Sequence, residues 1–162
     1  MNKGEDVELL NAVRTVVRLA RIAQQACEEG GLTMPQYRAL TSAARGRQRA
    51  YELARYAAVS RPAISALTNG MVKSGLMERG GLASDGRGVI FDITRHGMEV
   101  LASVDRLLVE RFQETLGDAE AALKILDSQA LEEALDQQAD KDFGPSRRQA
   151  PKTLDEESLG PI

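Results

Sequence analysis

The stretch Ser60-Arg61-Pro62-Ala63-Ile64-Ser65, followed by Thr68, Asn69 and Lys73, sets hydrogen-bonding and basic side chains at helical spacing. Ser65, Thr68 and Asn69 stand at i, i+3 and i+4 and so share one helix face. Short hydroxyl and amide groups placed in this way fit the donor and acceptor edges of bases, and Arg61 fits a guanine edge or a phosphate. Ser60 is placed to cap that helix, with Pro62 in its first turn. Ser60 also lies where a phosphate contact is open to it. Arg45, Arg47 and Arg49 form a basic loop just upstream, which suits phosphates but also suits plain solvation. Further on, Asp85-Gly86-Arg87 lies within the glycine-rich run Gly80 to Gly88. An arginine on such a loop reads groove width and potential more than base identity; the alternative is an exposed turn with a charge pair.

Other chemistries lack their residues. Cysteine is single (Cys27) and so is histidine (His96), which leaves no intrachain disulfide and no His/Cys metal centre. Neither an acid/base pair nor a nucleophile with its base stands out, so we expect no enzyme, no cofactor and no metal. Cys27 reads as a small buried filler, and His96 as a local polar contact or cap. No run approaches the roughly 20 apolar residues that would cross a bilayer. The first residues lack the apolar core of a signal peptide. A cytoplasmic protein without a membrane partner is the expectation.

Charge separates the chain into three parts. The net charge of -3 conceals a basic middle: residues 33–97 hold ten basic and four acidic side chains, net +6. Residues 1–32 are net -1 and residues 98–162 net -8. A basic module on an acidic scaffold is the pattern of a polyanion-binding lobe.

The elements that must position these groups follow from periodicity. Glu5 to Glu28 reads as a helix with a broad apolar stripe (Leu10, Val13, Val17, Ala20), ended by Gly30-Gly31. Thr33-Met34-Pro35-Gln36 has capping-box spacing and opens a second helix. Ala50 to Ala58 is a short helix; the helix capped by Ser60 runs to about Ser74, with Ile64, Leu67, Met71 and Val72 inward and Gly75 as its stop. Leu76 to Arg79 and Val89 to Ile93 read as two strands of a hairpin. Thr94 begins a long helix through Leu101, Val104, Leu108 and Phe112. Gly117-Asp118 breaks it and caps another, carrying Leu123, Leu126, Leu131 and Leu135. Beyond about Asp140 no period survives, so residues 141–162 are expected to be a disordered tail.

Helix, short helix, tight turn, capped helix and hairpin together make a winged helix-turn-helix: mainly α with a small β-wing. Its second helix enters the major groove. Leu32-Thr33-Met34-Pro35-Gln36-Tyr37-Arg38-Ala39-Leu40, Glu52-Leu53-Ala54 and Ser60-Arg61-Pro62-Ala63-Ile64-Ser65 then occur in order. So do Gly75-Leu76-Met77-Glu78-Arg79, Asp85-Gly86-Arg87 and Ile93-Thr94-Arg95-His96-Gly97. In these six pieces the chain resembles the MarR family of transcriptional regulators over about Leu32 to Gly97.

The resemblance implies a homodimer on a pseudo-palindromic operator in double-stranded DNA. It implies dimerisation through the N-terminal helix (about 5–28) and the C-terminal helices (about 97–139), with the DNA-binding lobe at about 33–97. It also implies a repressor whose DNA binding is relieved by a small ligand or an oxidant. Matching motifs assign the wing to Asp85 and Arg87. Tyr37, Arg38 and Phe112 are the candidate effector contacts. Two positions depart from the family pattern. Arg49 stands at a usual Thr cap and suits phosphate contact in place of capping; Ala58 stands at a usual Gly and calls for a turn without positive φ. The other reading of the same fold is a dimeric ligand-binding or protein-interaction module without DNA binding, and the charge of the lobe favours the first.

Overall fold

The computed structural model describes residues 3–82, 86 and 88–145. Asp85 and Arg87, expected on the wing, lie outside the described residues, as does the expected tail from residue 146 onward.

Helix α1 runs Lys3–Glu29 and closes at Gly31, which takes φ 81. Helix α2, Met34–Ala43, starts with the expected capping box: the Gln36 N–H donates to the Thr33 hydroxyl, and the Thr33 N–H donates to Gln36 Oε1 at 2.8 Å. Both bonds satisfy donors that the first helical turn leaves orphaned. Helix α3 spans Ala50–Ala57 and α4 spans Arg61–Lys73. Strands β2 (Met77–Leu82) and β3 (Val89–Ile93) pair antiparallel, Met77 opposite Ile93 and Arg79 opposite Phe91.

The basic loop is partly a strand. Gln48–Arg49 forms β1, which pairs with β3 in the order β1-β3-β2, Gln48 opposite Phe91. Helix α5, Arg95–Leu116, begins at Thr94, whose hydroxyl accepts from the Gly97 N–H at 2.9 Å.

The expected single helix after Gly117 is two elements. Gly117–Leu126 is a 3-10 segment, and α6 runs Gln129–Phe143. Ser128 caps α6 by accepting from the Leu131 N–H, which makes a second helix start and ends the run before it. The tail also begins later than expected, because Lys141 to Phe143 complete α6. The carbonyls of Phe143 and Pro145 then accept from the Tyr51 hydroxyl.

The core joins the end of α1 to α2, α3, α4, the sheet and the start of α5. Leu40, Leu53, Met71, Met77 and Val104 are its largest fully buried side chains. The first two-thirds of α1 stays out of it. Val7, Leu9, Leu10, Val13, Val16 and Val17 are 46–66% exposed. Among the described residues, no helix is long and apolar enough to cross a membrane.

The turn between α3 and α4 differs from expectation. Ala58 takes φ 54, ψ 44, the left-handed conformation in which Cβ crowds the backbone. The turn keeps that geometry because the N–H groups of Ala58 and Val59 must close the C-terminus of α3, bonding Arg55 and Ala54 carbonyls. Ala58→Gly should therefore stabilise the fold by about 0.5–1 kcal/mol, strain relief outweighing the added flexibility of the unfolded chain. A urea midpoint that falls on this substitution would contradict it.

Candidate nucleic-acid interface

Helix α4 divides into two faces. Ile64, Thr68 and Met71 point into the core, a stripe at i, i+4 and i+7. Arg61, Pro62, Ser65, Asn69 and Lys73 lie exposed on the outer side, together with Ser60 at the N-cap. Six of the expected site residues are thus brought together on one surface.

Thr68 is not among them. It is 2% exposed, and its hydroxyl donates to the Ile64 carbonyl at 2.9 Å. It faces the core beside Ile64 and Leu67, so a base edge cannot reach it.

Ser60 has the extended backbone of an N-cap, φ -63, ψ 156, but its hydroxyl makes no cap hydrogen bond. Its carbonyl takes the first helical N–H groups, from Ala63 and Ile64. The hydroxyl is therefore available to an incoming acceptor, at a helix end where N–H dipoles favour an anion.

Asn69 is joined by a residue that the sequence did not single out. Arg79 on β2 donates from its guanidinium to Asn69 Oδ1. That bond fixes the amide, so its NH2 group points away from the acceptor and remains free to donate. Arg49 caps α3 from β1 without a side-chain cap bond, half-buried. Arg47 pairs with Asp92 on β3 at 3.3 Å, which draws one of the three loop arginines onto the sheet.

Tyr37 and Arg38 line a cavity of about 360 Å³ between α2, α3 and α6, with Ser42, Arg45, Arg55 and Leu135. Phe112 is half-buried on α5 and is not part of this lining. The Tyr37 hydroxyl donates to Asp105 at 2.8 Å; burial, then that bond, push it up to about 12, so it stays a neutral donor. Ser42 Oγ and Arg55 Nε are buried without a partner among the described residues, and both residues face this cavity's wall. Cys27 is fully buried and burial pushes its thiol up, the state of an unreactive filler.

The fold defined by this lobe, a three-stranded wing behind a helix-turn-helix, is that of winged-helix proteins. Residues 32–89 match the model of the MarR family, the family that the motifs of this lobe resemble. No curated protein sequence matches the chain.

Solved structures share the architecture over most of the chain. The transcriptional regulator BldR from Sulfolobus solfataricus is 24% identical with TM-score 0.66, over 85% of this chain and 99% of its own. The transcriptional repressor CouR, bound to a 23-mer DNA duplex, is 26% identical with TM-score 0.60, over 80% and 98%. NadR, in complex with 4-hydroxyphenylacetate, is 22% identical with TM-score 0.59, over 80% and 90%.

Proposed function

We propose that this chain is a transcriptional regulator that binds double-stranded DNA as a homodimer and acts as a repressor released by a small-molecule effector. The observation that carries the reading is the outer face of α4. Ser60, Arg61, Pro62, Ser65, Asn69 and Lys73 stand exposed together on a lobe of net charge +6. Helix α4 enters the major groove; Ser65 and Asn69 meet base edges, Arg61 a base or a phosphate, and Ser60, Arg49 and Lys73 the backbone. Asp85 and Arg87 extend the contact on the wing. The neighbouring repressor CouR, solved on a DNA duplex, supports this assignment.

The exposed apolar stripe of α1 supports the homodimer. A two-fold symmetric pair covers it and presents two α4 helices to a two-fold symmetric site. In this reading residues 33–97 form the reading lobe, and residues 5–28 and 97–139 join the protomers. The effector enters the cavity at Tyr37 and Arg38; NadR, solved with a small aromatic acid, supports an effector of that size. The protein acts in the cytoplasm, by binding and not as an enzyme, and without a cofactor.

Selection of bound fragments from the source genome tests this. The recovered fragments should share a pseudo-palindrome whose half-site centres lie roughly 10 base pairs, one helical turn, apart. Fragments without a shared site would refute it.

A further inference from the structure

Arg61, the first residue of α4, does not stand alone. Its guanidinium lies over the Tyr51 ring, 5.5 Å from the centroid, in cation–π geometry. Tyr51 belongs to α3, and its hydroxyl is directed at the end of α6. It donates to the carbonyl of Phe143 at 2.7 Å and reaches that of Pro145 at 3.1 Å. Gly144 between them leaves the hydroxyl its room, since a Cβ there would stand 3.1 Å from it.

The end of α6 is itself pinned. Arg55 lies one turn beyond Tyr51 on the same face of α3. Its buried guanidinium donates to the Asp140 carboxylate, to the Gly144 carbonyl at 3.0 Å and to the Asp136 carbonyl at 3.1 Å. The phenol ring is thus tied at its edge to α6 and carries Arg61 on its face.

We propose that Tyr51 is a positioning residue that couples the C-terminal turn of α6 to the orientation of Arg61, and through it to base selection by α4. The inference rests on Arg61 meeting DNA, as proposed above. A long arginine side chain loses rotamer freedom when it docks on a base or a phosphate. A platform that holds the guanidinium beforehand lowers that cost and fixes which base step it reaches. The Tyr51 hydroxyl is engaged by the carbonyls of Phe143 and Pro145, so its removal acts on Arg61 through the ring. The cavity between α2, α3 and α6 shares Arg55 and Asp136 with this tie, which places an effector against the same coupling.

The test uses Tyr51→Phe, Arg61→Ala and the double variant of the full chain. Each is titrated by fluorescence anisotropy against a short duplex carrying the selected site and against its single-base variants. Tyr51→Phe keeps the ring and loses only the tie to α6. It should weaken binding about 3- to 10-fold, the worth of one hydrogen bond. It should relax preference at the same base position that Arg61→Ala relaxes, with dimer mass and thermal midpoint unchanged. The double variant should bind no more weakly than Arg61→Ala. Parental affinity and preference in Tyr51→Phe, with Arg61→Ala weakened, would overturn the coupling alone. So would losses that multiply in the double variant, because Tyr51 would then act independently of Arg61. Parental binding by Arg61→Ala would overturn the assignment of Arg61 to DNA, and the coupling with it.

Discussion

Replacing Gly97 by alanine is expected to lower the unfolding free energy by about 3 kcal/mol, at the upper end for overpacking. Gly97 lies in the first turn of α5, buried where that helix crosses the start of the hairpin. A Cβ at this position would stand 2.1 Å from the Leu76 carbonyl oxygen and 2.9 Å from Ile93 Cγ1. Neither neighbour yields easily. The Leu76 carbonyl already accepts from the Thr94 N–H at 3.1 Å, and Thr94 caps α5 while bonding the Gly75 carbonyl. Main chain, not a flexible side-chain end, must therefore shift. A denaturant midpoint in Gly97→Ala equal to that of the parent would show that α5 can slide off the hairpin at little cost.

Arg55→Ala is the second large effect, about 2 kcal/mol lost. The Arg55 side chain is 2% exposed, yet its carboxylate partners Asp136 and Asp140 are 62% and 47% exposed. Removing the cation leaves carboxylates that water can reach. The cost thus falls below the roughly 3–5 kcal/mol of a pair buried on both sides. What goes is a set of charge-assisted bonds that ties α6 to α3. Hydrogen exchange should show α6 amides losing protection while those of α4 keep theirs. Arg55→Met, which keeps most of the volume, should lose the same protection. Unchanged α6 protection in both variants would mean that the helix is held by apolar contact instead.

Much of this molecule is legible in its sequence where the cause of structure is local. Thr33 and Gln36 announce a helix start because both halves of the capping box lie within one turn. Gly75 with φ 74 ends α4 where a glycine was read as its stop. The exposed face of α4 follows from its period, except at Thr68. There the inward stripe is wide enough to take in the residue beside Leu67, and a threonine hydroxyl can bond its own helix.

Non-local causes left no such signal. β1 is a two-residue strand that exists only because Ile90 and Phe91 arrive beside it. Arg55 has the composition of a surface cation, and its burial needs carboxylates supplied by a helix, at Asp136 and Asp140, 81 and 85 residues later. Arg79 meets Asn69 because the hairpin folds back along α4. Gly117–Leu126 has the apolar content of a helix. Ser128, however, offers a cap that starts α6 afresh and leaves the preceding run to coil tightly. The left-handed Ala58 is a case where the need to close α3 outweighs local preference.

The central claim is that the outer face of α4 meets DNA, and salt dependence tests it most directly. The full chain would be titrated by fluorescence anisotropy with a non-specific duplex and with a selected fragment, each at several salt concentrations. Displacement of phosphate counterions by the basic lobe should make log affinity fall linearly with log salt. The slope should be roughly 0.9 per phosphate contacted on both duplexes, with the selected fragment bound about a thousandfold or more tightly. Equal weak affinity for both duplexes and no dependence on salt would contradict it, and would leave a winged-helix dimer that does not read DNA.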